Sequence, residues 1–402
     1  MAPSFQNNFQ RELEAGLREL EARNQRRTLV EIRGVNLCSN DYLELSRHPA
    51  LKEAVARAMR DSGHVGGTGS RLLSGHTAVW EQLEEEFSQF AGTASALYFG
   101  SGYMANLGLL SALLKKEDLV FSDALNHASL IDGIRLSGAR KIIYPHLDLN
   151  ALEGALQNHA QERCRKLIVT ETVFSMEGDI APVTEIIELA ERYDAGVIVD
   201  EAHATGVQGP AGRGIAVRYG IAQHLAAAVH TCGKALASAG AFVCGSKVLK
   251  EHLINHARTF IFSTAMPPYM AEQIGAALRL ARTMDREREK LLGSAQRFAS
   301  SLGSRGWDTR RNSMQVISTQ TVPTQIVPLI IGENEQALSA AEYLQSQGFA
   351  VRAVRPPTVP QGSARLRFSL TSGIPDDELM RLENTLNNWR ENKCWSAAVA
   401  RA

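Results

Sequence analysis

An acidic pair and a histidine end one of the apolar runs of this chain. Residues 197–206 read VIVDEAHATG, so Asp200, Glu201 and His203 come directly after a run of aliphatic residues. Two chemistries place a carboxylate here. An Asp-Glu-Ala-His box can hold Mg²⁺ beside ATP, and a lone carboxylate can hold the protonated nitrogen of a bound heterocycle. The other residues able to do chemistry decide between these two.

The phosphate loop that an ATP-dependent enzyme needs is missing. The only Gly-Lys pair is Gly233-Lys234, and both the leading glycine and the following hydroxyl of G-x-x-x-x-G-K-[ST] are replaced, by Ala228 and Ala235. The pair also follows the acidic box, whereas a phosphate loop would precede it. A dinucleotide fingerprint fails too, because GGTGSRLLSG gives G-x-G-x-x-L with no strand feeding it. A DEAH-type nucleotide-dependent protein stays only as a remote alternative.

The elements that must position these residues alternate between strands and helices. Short apolar runs separated by helical patterns predict βαβ units, and hence an α/β fold with a mostly parallel central sheet covered by helices on both faces. After a long helical region the pattern changes to a smaller α+β unit. The predicted domains are residues 1–48 (an amphipathic helix over 9–27 and a hairpin turning at 33–34), 49–290 (the large domain) and 291–402 (the small C-terminal domain). The predicted strands are 96–101, 119–123, 141–145, 166–172, 196–202, 228–233 and 240–245.

Polar residues follow these strands, at the edge where open parallel sheets bind ligands. In chain order they are Ser101, Gly102, Tyr103, His127, Glu171, Ser175, Asp200 and Lys234. Each has an ordinary interpretation when taken alone: a plain βα turn for 101–103, a surface histidine, a loop lysine. Their combination is harder to explain in that way.

Taken together these residues suit pyridoxal 5'-phosphate (PLP). A lysine binds the aldehyde of this cofactor covalently, and a carboxylate keeps its ring nitrogen protonated. A histidine can stack on the ring, and a helix N-terminus binds the phosphate. The residues needed are Lys234, Asp200, His127 and the helix start at 101–103.

Composition limits the partners. The 402 residues include 43 basic and 43 acidic side chains, so the zero formal charge argues against nucleic acid as a partner. The five cysteines show no metal-ligand spacing, and no metal site is expected. The N-terminal residues lack a signal-peptide pattern, and no apolar run approaches the roughly 20 residues that cross a bilayer. We therefore expect a cytoplasmic protein with no membrane partner.

Several ordered motifs resemble the α-oxoamine synthases, a family of fold-type I PLP-dependent transferases. They cover nearly the whole chain and read CSNDYLEL, GGTGSRLLSG, SDALNHASLIDG, FSMEGDIAP, VDEAHATG, TCGKALASAG, FSTAMPP and RPPTVPQGSARLRFSL. This resemblance implies that Lys234 carries the cofactor and moves the α-proton, and that Asp200 pairs with the ring nitrogen. It also implies that His203 reaches the ring hydroxyl with Ser175 nearby, and that His127 stacks on the ring.

Further positions match residues that surround the cofactor or the substrates in this family. The cofactor set is completed by Ser101, Gly102, Tyr103, Thr231, Ser263 and Thr264. Of these, Ser263 and Thr264 resemble the pair that contacts the phosphate of the neighbouring subunit, which implies a homodimer with shared active sites. The substrate set is Arg367, matching the arginine that holds the amino-acid carboxylate, Asn40 beside it, and Arg27 towards the acyl substrate.

The stretch RPPTVPQGSARLR favours one activity within the family. It implies a decarboxylative condensation of L-alanine with a pimeloyl thioester, carried by coenzyme A or acyl-carrier protein, in biotin biosynthesis. The alternative is a sister synthase that uses glycine or serine with another acyl-CoA, such as a glycine C-acetyltransferase. Three positions depart from the family pattern, namely Glu44, Ala204 and Ala237, and none of them removes a chemical group.

Overall fold

A seven-stranded sheet forms the centre of the molecule. The computed structural model describes residues 5–309 and 322–399. In chain order the strands are β1 (Val35–Asn36), β2 (Ser95–Phe99), β3 (Leu119–Asp123), β4 (Arg140–Tyr144), β5 (Lys166–Glu171), β6 (Ala195–Asp200), β7 (Ala227–Thr231), β8 (Ala241–Gly245), β9 (Ile326–Gly332), β10 (Phe349–Ala350), β11 (Ala353–Val354) and β12 (Ala364–Ser369). The central sheet has the order β2-β8-β7-β6-β5-β3-β4, in which β8 alone runs antiparallel to its neighbours.

Helices cover both faces of this sheet, because successive residues of its inner strands are apolar and point to opposite faces. In β6, Val197 and Val199 belong to one buried cluster, and Ile198 belongs to the cluster on the other face. The helices are α1 (Phe5–Ala22), α2 (Pro49–Asp61), α3 (Ala78–Ala91), α4 (Gly102–Leu113), α5 (Ala128–Ser137), α6 (Leu149–Asn158), α7 (Val183–Arg192), α8 (Ile215–Arg218), α9 (Lys247–His256), α10 (Arg258–Ile261), α11 (Pro268–Arg282), α12 (Asp285–Ser304), α13 (Asn334–Ser346) and α14 (Asp376–Val399). The α/β fold with its mostly parallel sheet is confirmed.

The C-terminal unit is built on a three-stranded antiparallel sheet of order β11-β12-β9. Helices α13 and α14 contact each other, and α13 contacts the sheet. A continuous apolar cluster includes Phe87 of α3, Phe298 of α12 and Phe368 of β12, so the two units share one core. The predicted domain boundary at residue 290 falls inside α12 and stays a prediction.

The predicted N-terminal hairpin is wrong. Within residues 28–43 the structure has one short strand, β1, which pairs in parallel with β10 of the C-terminal unit. Gly34, at a φ of 83°, is needed for a different reason, because a Cβ at this position would lie 2.1 Å from the carbonyl oxygen of Gly348. The Arg33-Gly34 signal therefore marks a close backbone approach between distant segments.

The carboxyl ends of the parallel strands meet at one edge of the sheet. The last residues of β3, β5, β6 and β7 are Asp123, Glu171, Asp200 and Thr231. Among the described residues, no helix has the length and apolar character that spanning a bilayer requires.

Candidate active site

Lys234 lies beside His203 in the loop that follows β7. Its Nζ is 2.8 Å from Nε2 of His203. Burial and the charge of Arg367 lower the pKa of Lys234 to about 8, and the nearby Asp200 and Glu171 carboxyl groups oppose this shift. A lysine with so low a pKa is partly neutral near physiological pH, as a nucleophile or a base requires.

His203 is held on both ring nitrogens. Its Nδ1 lies 2.7 Å from the hydroxyl of Tyr42, and its backbone carbonyl accepts a hydrogen bond of 2.7 Å from Gln325. Burial, followed by the charges of Lys234 and Arg367, lowers the pKa of His203 well below its usual value. The imidazole is therefore neutral at pH 7, with one donor and one acceptor nitrogen.

Asp200 ends β6 with its carboxylate buried and held in place. Its Oδ1 accepts a hydrogen bond from the backbone of Ala202 at 2.8 Å, and its Oδ2 accepts one from Asn106 at 2.7 Å. Asn106 also donates to Ser129 at 2.9 Å, and Ser129 in turn bonds His127. The carboxylate and the histidine expected above the ring thus belong to one hydrogen-bonded network.

A second buried carboxyl group lies beside Asp200. Glu171 ends β5 and is paired with Asp200 in the parallel register of the two strands. Burial and the Asp200 carboxylate raise the pKa of Glu171 well above its usual value. Its Oε1 is buried and has no hydrogen-bond partner within the described part of the chain.

His127 caps α5. Its Nδ1 accepts the backbone N–H of Ser129 at 3.2 Å and lies 2.8 Å from the hydroxyl of the same residue. Burial on one side lowers the pKa of His127, while its side chain keeps exposed surface. A neutral ring with one open face has the character that stacking on an aromatic ring needs.

The N-terminus of α4 forms a small cradle. Ser101 caps the helix by accepting the N–H of Met104 at 3.1 Å, and Gly102 is the first helical residue. A Cβ at Gly102 would lie 2.7 Å from Cγ2 of Thr231, so only glycine fits against the end of β7. Exposed Tyr103 follows, with its hydroxyl bonded to Asp132. Free N–H groups at such a helix start bind phosphate oxygens.

Arg367 reaches the site from β12 of the C-terminal unit. Its Nε donates to the backbone carbonyl of Ser175 at 2.5 Å, and its Nη2 donates to Oδ1 of Asn40 at 3.2 Å. Ser175 belongs to the loop after β5. A guanidinium in this position can bind a carboxylate, since its planar fork offers parallel donors.

Three predicted residues contact parts of the chain other than the residues around Lys234. Thr264 forms an isolated antiparallel bridge with Ser70, and Ser263 is half-buried next to it. Arg27 is exposed, and its Nη2 donates to the hydroxyl of Thr358 at 3.2 Å. The structure brings the other predicted residues together around Lys234.

Glu201 has a structural role. Its carboxylate oxygens accept the backbone N–H groups of Ile215 and Ala216 at 3.0 and 2.7 Å, at the start of α8. Burial raises the pKa of Glu201 to about 7 against these hydrogen bonds. Both oxygens are therefore engaged by backbone, and the second acid of the DEAH stretch is not available to hold a metal ion or to activate water.

Two departures from the family pattern share a backbone feature. Glu44 and Ala237 stand where glycine is common, and their φ values of 56° and 44° lie in the left-handed region. For a non-glycine residue this costs on the order of 1 kcal/mol. The Glu44 carboxylate accepts a hydrogen bond of 2.7 Å from Thr371, which offsets part of that cost.

Sequence reasoning missed several residues of the site. Tyr42, Asn106 and Gln325 hold His203 or Asp200, yet none of them follows a strand of the central sheet. Tyr42 was visible only as part of the SNDYL motif, beside Asn40. Asn106 carries no local signal, because an asparagine one turn into a helix has no distinctive spacing.

The arrangement fits PLP. The glycine cradle at 102, the buried carboxylate of Asp200 and the lysine of lowered pKa are what its phosphate, ring nitrogen and aldehyde require. The buried Oδ1 of Asn106 also has no hydrogen-bond partner among the described residues, so this acceptor of the site can still receive a hydrogen bond.

Comparison with known proteins agrees with this geometry. The model of the family described as aminotransferase class I and II matches residues 32–386. The chain belongs to this family. An 8-amino-7-oxononanoate synthase from Azoarcus sp. (strain BH72) is 46% identical over 352 residues, which cover 87% of this chain and 86% of the relative. Another from Burkholderia orbicola (strain MC0-3) is 42% identical and covers 97% of both chains.

Solved structures extend the likeness to the cofactor. A serine palmitoyltransferase from S. paucimobilis, solved with PLP bound to myriocin, superposes with a TM-score of 0.85 at 27% identity, covering 97% of this chain and 99% of that one. The 8-amino-7-oxononanoate synthase from Francisella tularensis gives a TM-score of 0.75 at 29% identity, covering 90% and 99%. This chain is therefore an α-oxoamine synthase of fold-type I and a PLP-dependent acyltransferase.

Proposed function

We propose that this aminotransferase class I and II member condenses L-alanine with a pimeloyl thioester. The products are 8-amino-7-oxononanoate, CO2 and the free thiol of the carrier, in biotin biosynthesis. The relatives that are 42–46% identical bear the name of this activity. The observation that carries the proposal is that Arg367 shares one site with Lys234, since burial and then the charge of Arg367 lower the pKa of Lys234; we assign this guanidinium to the amino-acid carboxylate.

The residues divide the work of binding and proton transfer. Bound PLP supplies an electron-withdrawing ring that stabilises negative charge on the Cα of the amino acid. Arg367 and Asn40 hold the carboxylate of alanine, which fixes the Cα–H bond relative to Lys234. Nζ of Lys234 then takes the Cα proton and later returns one, a task that suits its pKa of about 8.

The remaining residues hold the cofactor. Asp200 would accept a hydrogen bond from the ring nitrogen and so keep that nitrogen protonated, and Asn106 holds the Asp200 carboxylate in position. His203 and Ser175 would hold the ring hydroxyl, and His127 would stack on the ring. The cradle formed by Ser101, Gly102, Tyr103 and Thr231 would bind the phosphate through backbone N–H groups.

The acyl substrate enters past the N-terminal segment. Arg27 bonds to Thr358, and the neighbouring Arg355 donates to the carbonyls of Asn24 and Arg26, so two guanidinium groups lie together on the surface. Partial burial and then the charge of Arg27 lower the pKa of Arg355. Such a pair attracts an anion, either the phosphates of the carrier or the free carboxylate of the pimeloyl chain.

The active form is a homodimer, in which Ser263 and Thr264 reach the phosphate of the partner subunit. Three large apolar side chains near this pair are exposed, namely Leu72 (48%), Leu73 (85%) and Phe262 (71%). The backbone of Ala265 bonds Gly69, so the two segments form one surface. An apolar surface beside a phosphate-binding pair suits burial between two copies. We place this dimer in the cytoplasm.

The main alternative is a sister synthase that uses glycine or serine. The similarity of the fold to that of serine palmitoyltransferase, with TM-scores up to 0.86, favours this alternative. Those structures are, however, only 26–28% identical to this chain. Sequence identity to the 8-amino-7-oxononanoate synthases is much higher, and substrate choice depends on side chains more than on the fold.

Purified protein can be tested with each amino acid in turn. We expect CO2 and free thiol to appear with L-alanine and pimeloyl-CoA or pimeloyl-acyl-carrier protein, and much more slowly with glycine or serine. Borohydride reduction should fix a pyridoxyl group on Lys234, and Lys234→Ala should abolish turnover. Faster turnover of glycine with acetyl-CoA, or of serine with a long acyl-CoA, would replace the proposed substrates by those of a sister synthase.

A further inference from the structure

A chain of hydrogen bonds joins the two functional ends of the site. It runs from Nζ of Lys234 to Nε2 of His203 (2.8 Å), and from Nδ1 of His203 to the hydroxyl of Tyr42 (2.7 Å). It continues from that hydroxyl to Oδ1 of Asn40 (3.0 Å), which also accepts Nη2 of Arg367 (3.2 Å). Tyr42 lies in the middle of this chain and is completely buried.

The direction of these hydrogen bonds follows from the charge of the lysine. A protonated Lys234 can only donate, so Nε2 of the neutral His203 must accept and Nδ1 must carry the hydrogen. Nδ1–H then donates to the Tyr42 oxygen, and the Tyr42 hydroxyl donates to Asn40. The amide oxygen of Asn40 therefore faces Arg367, Tyr42 and Ser369, all of which are donors.

A neutral lysine reverses the chain. Its Nζ can accept from Nε2–H, which leaves Nδ1 of His203 as an acceptor for the Tyr42 hydroxyl. Asn40 then loses one of its three donors. The orientation of a single hydroxyl group thus links the proton on Lys234 to the side chain that lies against Arg367.

We propose that Tyr42 is a positioning residue that transmits the tautomer of His203, which the proton on Lys234 sets, to the orientation of Asn40. It thereby couples the proton-carrying lysine to the arginine that holds the substrate carboxylate. This inference rests on the proposed function for the roles of Arg367 and Asn40. The tautomer itself is a property of the protein alone.

Tyr42→Phe removes the hydroxyl and keeps the ring that packs in the core. Nδ1 of His203 and Oδ1 of Asn40 each lose a buried partner. We expect the affinity of the holoenzyme for L-alanine, measured from the absorbance of the bound cofactor, to fall about three- to tenfold. Tyr144→Phe removes another buried tyrosine hydroxyl, on β4 at the far edge of the sheet, and is the matched control.

Nitrogen NMR of histidine-labelled apoprotein reads the tautomer without any substrate. Comparison with a His203→Asn variant assigns the His203 signals. At pH 7 we expect the hydrogen of His203 on Nδ1 in the wild type, in Tyr144→Phe and in Tyr42→Phe, because a protonated Lys234 donates to Nε2 in all three. Above pH 8 the wild type should shift towards the Nε2–H form.

A wild-type His203 with its hydrogen on Nε2 at pH 7 would overturn the inference, and this measurement stands even if Tyr42→Phe does not fold. It would also be overturned if Tyr42→Phe kept an alanine affinity within twofold of Tyr144→Phe. Failure of the proposed function looks different, because the wild type would then show the expected tautomer but no condensation of alanine with a pimeloyl thioester.

Discussion

Glu171 and Asp200 are paired residues on neighbouring parallel strands, so two buried carboxyl groups end side by side at the edge that holds Lys234. Like charges at this spacing do not both ionise readily. The raised pKa of Glu171 means that the folded chain keeps this proton to a higher pH than the unfolded chain does. Because Glu171 ionises at a lower pH in the unfolded chain than in the folded one, the stability of the fold depends on pH.

The sign of this dependence gives a first prediction. Folded Glu171 keeps its proton above pH 4.5 whereas the unfolded chain loses it, so its burial costs more stability as the pH rises. Glu171→Gln keeps the shape without an ionisable group. We expect its melting temperature to exceed that of the wild type by roughly 1 to 3 °C at pH 8 and by less at pH 5. A gap that is equal at both pH values would show that Glu171 is ionised in the fold.

Substitutions of Asp200 and Glu201, the two acids of the DEAH stretch, should have different effects. Asp200→Asn keeps the bond to Asn106 possible but removes the charge expected at the ring nitrogen, and we expect kcat to fall at least about 100-fold with little change in melting temperature. Glu201→Gln leaves one backbone N–H at the start of α8 without its acceptor, and we expect a loss of about 1 to 3 kcal/mol of stability.

Measuring turnover and thermal unfolding of both variants separates the two roles. If Glu201→Gln lost as much activity as Asp200→Asn while staying folded, then the interpretation of Glu201 as a helix-capping residue would be wrong.

Two arginines on β12 offer another matched pair. Arg367 lies against Asn40 and Ser175, whereas Arg365 is buried in an ion pair with Glu177 at 2.8 Å. We expect Arg367→Lys to raise the KM for L-alanine about 10- to 100-fold, because an ammonium group cannot reproduce the bidentate fork. Arg365→Lys should mainly lower the melting temperature. Equal effects of both variants on KM would argue against a specific carboxylate role for Arg367.

His146 lies between two carboxylates away from Lys234. Its Nδ1 is 2.9 Å from Asp123 and its Nε2 is 3.0 Å from Asp179, linking the ends of loops that follow β3, β4 and β5. Burial lowers the pKa of His146, but the hydrogen bonds with Asp123 and Asp179 outweigh it and raise the pKa to about 10. A raised pKa gives a stabilisation that is complete below about pH 6.5 and is lost as the pH rises through 10.

His146→Gln should therefore cost about 1 to 3 kcal/mol near pH 6, and the difference from the wild type should shrink towards pH 10. Thermal unfolding across this range is the measurement. His224→Gln, which removes an exposed histidine paired with Glu191, is the control and should stay within about 0.5 kcal/mol of the wild type. A difference for His146→Gln that does not change with pH would contradict the charged form.

The sequence predicts those site residues that directly follow a strand of the central sheet. Asp200 and Lys234 were predictable because each follows a strand of a parallel sheet, whose carboxyl ends meet at one edge. Tyr42 was not, because it lies 161 residues from His203 and its contact depends on how the N-terminal segment packs. The register that places Glu171 beside Asp200 was equally hidden, because it depends on how neighbouring strands align. The predicted hairpin is wrong for a related reason, because Gly34 permits a close approach to the backbone of Gly348 and does not form a hairpin turn.

The lowered pKa of Lys234 makes a prediction about cofactor uptake. Only the neutral amine attacks the aldehyde of PLP, so the rate of uptake by the apoprotein should rise about tenfold per pH unit up to about pH 8 and then level off. A lysine of ordinary pKa would keep accelerating to about pH 10.5. Stopped-flow absorbance measures the rate.

Arg367→Gln supplies the control, because the Arg367 charge is one cause of the lowered pKa of Lys234. Removing that charge should move the point at which uptake levels off to higher pH, while a Lys234→Ala apoprotein should show no covalent phase at all. Uptake that continues to accelerate above pH 9.5 in the wild type would mean that burial does not hold Lys234 neutral. Its proton would then have to be removed by another group before the cofactor could bind.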